Sequence, residues 1–406
     1  MKKIYLLALC TTLFINISCS SNDNEEDNKI TGSLSVEEGK TQLEDNTIKL
    51  LDKVDDFKND NALNDIIELA EYLNSDNNIK NKGFKKATLN TISNIANIKT
   101  TTNGLTAFNA KQGIAIIAET SLIDDFNSEK GIYSWNSNTK EFDKTGNSDD
   151  IIYNVAYNDG KNAVFSFTDF GTTIVGSDSD NELPTLAKAN LKINGTTVFT
   201  QNYTATFISG QLIPAAISNT TNIGDFSFET FYTNSNNKEI KQSFNFKLSN
   251  DVIIGYSLST NGNFNDDANG NIEDIVDNAT FTFQFLNAAL TLKANDTGFN
   301  SDSELNVDEQ IALLNSNTSA ELSINNKSVA KSQFYKDEDT YTDYTYNPNT
   351  QNYEETEVTE EIVNARFLFE DGTTSDFNTY FDGSFTSIED KFDAVFEAYE
   401  SLLSNI

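Results

Sequence analysis

The sequence predicts an α+β fold in which N-terminal helices pack on a large antiparallel β-sheet and a C-terminal helix closes the chain. Three observations carry that expectation. Apolar residues recur at helical spacing between Thr41 and Ile98. From about Leu105 the apolar period shifts to two. After Thr386 the helical period returns. A period near 3.6 lines up one face of a helix, whereas a period of two lines up one face of a strand.

Taken in order, the chain opens Met1-Lys2-Lys3, and a mostly apolar run follows from Ile4 to Ile15. A basic start before about a dozen apolar residues is the pattern of an export signal. The run is too short for a hydrocarbon core of ~30 Å, which takes about 20 residues to cross. Asn16-Ile17-Ser18-Cys19 comes next, and small Ser18 suits cleavage before the cysteine. This segment resembles the lipobox of bacterial lipoproteins, with Asn16 where that motif usually carries leucine. The resemblance implies that residues 1–18 are a removed signal peptide and that Cys19 becomes an acylated N-terminus. Several acyl chains, at about 0.8 kcal/mol per buried methylene, hold a protein stably to a membrane. Cys10 lies inside the apolar run and leaves with it.

Residues 20–28 are Ser-Ser-Asn-Asp-Asn-Glu-Glu-Asp-Asn, with nothing apolar to bury. Residues 19–40 therefore read as the lipidated cysteine and a disordered tether. The acidic stretch resembles the export tag that sends lipoproteins of Bacteroidota to the cell surface. Together with the anchor, it makes the chain similar to the uncharacterised surface lipoproteins of that group. The resemblance implies an outer-membrane protein facing outward, the alternative being the periplasmic face. It implies a place, not an activity.

The helical segment spans residues 41–104. Leu43, Leu50, Val54 and Phe57 form its first stripe, and Leu63, Ile66, Ile67, Ala70 and Leu73 its second. Phe84, Ala87, Thr88, Ile92 and Ile95 form its third. Residues 105–406 read as one β-rich body. Ile151, Tyr153, Val155 and Tyr157 alternate, and Asn158-Asp159-Gly160 turns the chain toward Phe165 and Phe167. Asn194-Gly195 between two β-branched runs is a strong signal for a two-residue hairpin. Phe226 to Tyr232 and Ile240 to Leu248 alternate around a polar turn, Asn234 to Lys238. Val252 to Leu258, then Phe281, Phe283, Phe285, Leu290 and Leu292, continue the sheet. Strands joined by short turns imply antiparallel pairing with one face buried. Asn306 and Glu309 have the spacing of a capping box, so a short helix is expected over 306–314. Val363, Ala365, Phe367 and Phe369 return to a strand. Thr386 and Glu389 repeat the capping pattern before Ile388, Phe392, Val395, Tyr399 and Leu402, the stripe of the closing helix.

One internal echo stands out. Tyr133 to Phe142 and Tyr344 to Tyr353 both read as aromatic strand, Asn-x-Asn-Thr turn, aromatic strand.

Composition bounds the chemistry. The net charge is −34, from 28 Lys and Arg against 62 Asp and Glu. Such a charge repels nucleic acid and anionic membrane surfaces, so no nucleic-acid partner is expected. The chain has no histidine. That removes Ser-His-Asp and Cys-His catalysis, histidine-bound zinc and the common general base near neutral pH. With its only retained cysteine acylated, the mature chain also lacks thiol catalysis and disulfides. Carboxylates, amides, hydroxyls and phenols remain, and these suit Ca²⁺ and sugars.

Two sets of candidate site residues follow. Asn265, Asp267 and Asn269 stand at the first, third and fifth positions of a calcium-type loop when Gly270 is set at the sixth, with the backbone of Asn271 at the seventh. Position twelve is Val276 rather than glutamate, and an Asx-rich turn explains the same residues. Tyr341, Tyr344, Tyr346 and Tyr353, among amides and hydroxyls, are candidates for stacking on a ligand such as a sugar. Tyr133, Trp135 and Phe142 are a second such set, for which burial in the sheet is the competing fate. Glu354, Glu355, Glu357, Glu360 and Glu361 form an acidic cluster that a solvated strand edge accounts for. The expected function is ligand or partner binding without catalysis, the ligand being a glycan or a protein and the membrane being met through the lipid. The alternatives are a carboxylate-dependent glycoside hydrolase and a structural envelope protein.

Overall fold

The computed structural model describes residues 32–74 and residues 121–376 apart from 159, 176–181, 210–212, 265–275, 296–304 and 348–351, with the short stretches 84–85, 88–89, 91–92 and 379–380. The fold is α+β and mostly sheet. Among the described residues no helix is long and apolar enough to cross a membrane. The chain divides into two compact units, one holding Thr47–Ser259 and the other residues 32–46 and Thr260–Thr386.

The helix α1 (Val36–Lys58) supplies residues to both units. It starts five residues ahead of the expected Thr41, so residues 36–40, expected to belong to a tether, are helical. The reason is local. Ser35 Oγ accepts from the Glu38 backbone N–H at 3.4 Å, and Glu38 Oε2 accepts from the Ser35 backbone N–H at 3.0 Å. This reciprocal pair starts a helix in a stretch that looks merely polar. Ser33 also bridges to Ser328 within the second unit.

In the first unit the strand order is β10-β9-β8-β7-β6-β5-β4-β3-β1-β2. The strands are β1 (Gly131–Asn136), β2 (Glu141–Gly146), β3 (Ile151–Tyr157), β4 (Lys161–Ile174), β5 (Glu182–Ile193), β6 (Thr196–Phe207), β7 (Pro214–Ile223), β8 (Phe226–Ser235), β9 (Glu239–Leu248) and β10 (Asp251–Gly262). The large antiparallel sheet that the sequence predicts departs from that pattern at one described pair: β1 and β3 run parallel, so the sheet is mixed. Gly146 at the end of β2 lies opposite Ile132, and Ile151 at the start of β3 lies opposite Gly131. The β2–β3 connection therefore only steps around the start of β1, which a short turn can do.

The helices α1 and α2 (Asn61–Asn74) contribute to the core on this sheet. The Phe57 ring meets Phe226, Phe228 and Phe246 edge-on at 4.9, 5.6 and 5.3 Å. Each such ring contributes about 1.5–3 kcal/mol by burial, with a smaller increment from ring geometry. Asp60 Oδ1 accepts from the Leu63 backbone N–H at 3.1 Å and caps α2. Gly224, in the turn before β8, has φ +56°, and a Cβ there would lie 2.7 Å from Asp60 Oδ1. Glycine is thus required twice over at that turn. Phe84, whose described neighbours 85, 88–89 and 91–92 are helical, packs on Phe126, Phe167 and Phe170.

In the second unit the order is β16-β15-β14-β13-β12-β11. The strands are β11 (Val276–Phe285), β12 (Ala288–Asn295), β13 (Thr318–Ile324), β14 (Lys327–Asn347), β15 (Asn352–Leu368) and β16 (Thr374–Asp376), with helix α4 (Val307–Asn317) before β13. Asn306 and Glu309 form the expected capping box, and the helix runs three residues past the expected Leu314. Leu34, Leu43, Ala288, Leu322, Ile324, Val329 and Phe367 are among the residues of this unit's core. The expected closing helix after Thr386 lies outside the described residues.

Candidate functional site

The tyrosines singled out in the sequence fall on the β14–β15 hairpin. β14 has 21 residues and β15 has 17. β14 pairs with β13 only from Lys327 to Lys331, and β15 pairs with β16 only from Arg366 to Leu368. From Phe334 and Ala365 out to Asn347 and Asn352 the two strands are laddered to each other alone in the described pairing. They form a two-stranded ribbon, here called the arm. At ~3.4 Å per residue, the part beyond Lys336 is on the order of 35 Å long.

The base of the arm is tied down by polar contacts. Asn315 of α4 donates from Nδ2 to the Phe334 carbonyl at 2.9 Å and accepts from the Phe334 N–H at 2.9 Å. Lys336 Nζ bridges Asp308 and Glu361 at 2.9 and 3.0 Å. On the opposite face the Arg366 guanidinium lies 4.4 Å over the Tyr335 ring, and the Tyr335 hydroxyl donates to Asp376 at 2.9 Å. Burial, then the nearby Asp376 carboxylate, pushes the Tyr335 phenol up to about 12. Asp337 is held below the ordinary carboxylate range by hydrogen bonds, chiefly from Asn364 Nδ2 at 2.8 Å.

Past this clamp the register assigns faces. Tyr344 stands opposite Glu355 and Tyr346 opposite Tyr353, on the same face as Glu338, Thr340, Thr342, Glu357, Thr359 and Glu361. Tyr341 stands opposite Val358 on the other face, with Asp339, Asp343 and Glu360. The structure thus separates Tyr341 from the other three candidates. Tyr341, Tyr344 and Tyr353 are 44%, 58% and 68% exposed, where most large apolar side chains are covered. Of the acidic cluster, Glu355, Glu357, Glu360 and Glu361 are exposed. Two like-charged pairs sit directly opposite, Glu338 with Glu361 and Asp339 with Glu360, an arrangement that weakens a ladder.

The echo hairpin has the opposite fate. Trp135 pairs with Phe142 just as Tyr346 pairs with Tyr353, yet Tyr133 and Phe142 are 5% and 4% exposed. Asn136 Oδ1 accepts from the Asn138 and Thr139 backbone N–H groups, which fixes its turn. Of the second set of aromatic candidates, Tyr133 and Phe142 are therefore core, and Trp135 is half-buried against them.

Half-buried beside that core is a group the sequence does not single out. Glu129 ends α3 (Leu122–Glu129), itself unanticipated, and its Oε2 accepts from the buried Tyr153 hydroxyl at 3.1 Å. Burial raises its carboxyl above the ordinary value, and the Tyr153 hydrogen bond and the Lys85 charge only partly oppose this. The Tyr133 hydroxyl donates to the Glu129 carbonyl at 2.8 Å, and the Lys85 ammonium lies 4.8 Å over the Tyr133 ring. Nothing in the acidic run Asp124-Asp125-Phe126-Asn127-Ser128-Glu129 marks its last member for burial. At the other end of α3, Glu182 Oε2 accepts from the Leu122 backbone N–H at 2.7 Å. Its Oε1 accepts from the Ile123 backbone N–H at 3.2 Å and from the Thr172 hydroxyl at 2.6 Å. Burial alone would raise Glu182, but these hydrogen bonds hold it below the ordinary value.

Asn265, Asp267, Asn269 and Asn271 of the calcium-type loop lie outside the described residues, as does Cys19. The side chain of Tyr346 is also outside them. Comparison with protein-family models, curated proteins and solved structures finds no match to this chain.

Proposed function

We propose that this chain is a surface lipoprotein, anchored through Cys19, that binds a ligand or partner with its β-rich body and performs no catalysis. The lipobox-like leader and the acidic stretch after it support the location. The exposed tyrosines Tyr344 and Tyr353 on one face of the arm carry the binding reading, because solvent-facing aromatics are the side chains that recognition uses most. The C-terminal stripe from Ile388 to Leu402 is proposed to complete the helical layer.

The test is a turnover screen. Purified mature protein is incubated with a panel of oligosaccharides and the products are separated. Intact substrates are the expected result, and hydrolysis that disappears in a single-carboxylate variant would overturn the reading.

One observation favours a second reading, that of a carboxylate-dependent hydrolase. Glu129 has the raised proton affinity that a general acid needs. A glycosidase needs a second carboxylate across the scissile bond. Asp125, whose charge adds to the rise at Glu129, sits one turn back on the same helix. Glu129→Gln is the variant that decides between the two readings in the same screen.

A further inference from the structure

We infer that the Tyr344 face of the β14–β15 arm docks an extended, basic polypeptide segment of a partner protein, one with Lys or Arg at every second position; this rests on the binding reading above and names its partner chemistry. Three features of the arm lead there. The first is its apolar exposure. Tyr344 and Tyr353 share a face and are more than half exposed. A flat phenol ring in water is a platform for a cation or for apolar stems.

The second is charge. From Asp337 to Ala365 the sequence has nine Asp and Glu residues and neither Lys nor Arg. Lys336 and Arg366 bracket this stretch and are occupied by Asp308, Glu361 and Gln333. Glu361 is paired with Lys336, and exposed Glu338, Glu355 and Glu357 crowd further like charge onto the docking face. A cationic partner relieves that repulsion. A second copy of a chain with a net charge of −34 adds to it, as does an anionic lipid or polysaccharide. A neutral sugar stacks on tyrosine and can donate its hydroxyls to the carboxylates, but it brings no charge to offset their mutual repulsion.

The third is spacing. Along the docking face the residue pairs run Glu338/Glu361, Thr340/Thr359, Thr342/Glu357, Tyr344/Glu355 and Tyr346/Tyr353. Alternate residues on a strand are about 6.8 Å apart. An extended peptide repeats its own side chains at the same interval. Basic side chains at every second position can therefore reach Glu338, pass the Thr340/Thr359 pair, meet Glu357 and Glu355 in turn and end on the tyrosines, a register that a globular cationic patch lacks.

The probe is a short peptide of alternating Arg and Ser, titrated into the full mature chain at about 0.15 M salt, where surface charges more than ~8 Å apart are screened. Two charge variants are compared. One carries Glu338→Gln, Glu355→Gln and Glu357→Gln on the docking face of the arm. The other carries Glu141→Gln, Asp149→Asn and Asp251→Asn, exposed positions off the arm. Both remove the same charge. The arm variant is expected to bind the peptide about tenfold more weakly, or ~1.4 kcal/mol, and the remote variant less than about twofold more weakly. Tyr344→Ser with Tyr353→Ser is expected to weaken binding about tenfold, and Tyr341→Ser on the opposite face to leave it within about twofold. Equal weakening by the two charge variants, or an indifferent Tyr344 face, would overturn the inference. If a neutral oligosaccharide binds the arm and the peptide does not, this inference falls and the binding reading stands. If neither binds, both fall.

Discussion

The carboxylate of Glu182 is expected to hold helix α3 in place, and its removal can be sized from its contacts. The helix has eight residues, too few to persist on intrinsic propensity. Two of its first backbone N–H groups, on Leu122 and Ile123, point at Glu182, and the Thr172 hydroxyl braces the same carboxylate. The charge also complements the positive end of the helix. Glu182→Gln keeps the shape but removes the charge and one good acceptor. A hydrogen bond to a charged group is worth about 1.5–3 kcal/mol, and partial exposure here brings the expected cost of the variant to about 1–2 kcal/mol. The pH dependence has a definite sign. The folded-state value of Glu182 is lowered, so its stabilisation is complete above the unfolded value of 4.5 and fades as the pH falls through the lowered folded value. Urea denaturation of both proteins at neutral pH and at successively lower pH measures the difference directly. The gap should be largest near neutrality and close in acid. A gap that is absent at neutral pH, or that stays constant into acid, would refute the reasoning.

Three further outcomes are expected. Gly224→Ala places a Cβ at 2.7 Å from the capping carboxylate of Asp60 on a backbone with positive φ, and should cost about 1–3 kcal/mol in chemical denaturation. Glu129→Gln should raise the melting temperature at neutral pH, because the folded-state value of Glu129 is raised and ionisation therefore costs stability as the pH climbs past 4.5; the gain should vanish in acid. Cys19→Ala should move the protein from the membrane fraction to the soluble one, and unchanged fractionation would mean that something other than lipid on that cysteine retains it.

Much of the fold is legible because β-structure announces itself by period and by turn chemistry. Asn194-Gly195 has φ of +50° and +84° between β5 and β6, and Asn236 and Asn237 take +55° and +56° between β8 and β9. Both turns fall where the sequence places them. The Asn325-Asn326 turn before β14, at +53° and +58°, uses the same left-handed asparagine geometry. The turn at Leu286 is silent in the sequence, because leucine rarely takes φ of +49°. Strand alternation is also blind to neighbour order, which is why the parallel β1–β3 pair was not foreseen. The arm shows the same limit from the other side. The tyrosines were visible as a set, but only the register shows that Tyr341 faces away from Tyr344 and Tyr353. Burial is no better encoded, since Tyr133 to Phe142 and Tyr344 to Tyr353 are alike in sequence and opposite in exposure. Glu129 was invisible because its environment comes from Tyr153 and Phe84, far along the chain.

The central claim is that a lipid-anchored chain presents the arm outside the cell. Tyr344→Cys tests it most directly: on this proposal Cys10 leaves with the leader and Cys19 is acylated, which makes the new thiol the reporter in the mature chain. Intact cells, washed in high salt to strip bound partners, are treated with a membrane-impermeant maleimide before and after the outer membrane is opened, with the unsubstituted protein as control. The account predicts full labelling on intact cells and no increase after opening. Labelling that occurs only once the membrane is breached would place the arm in the periplasm and contradict it.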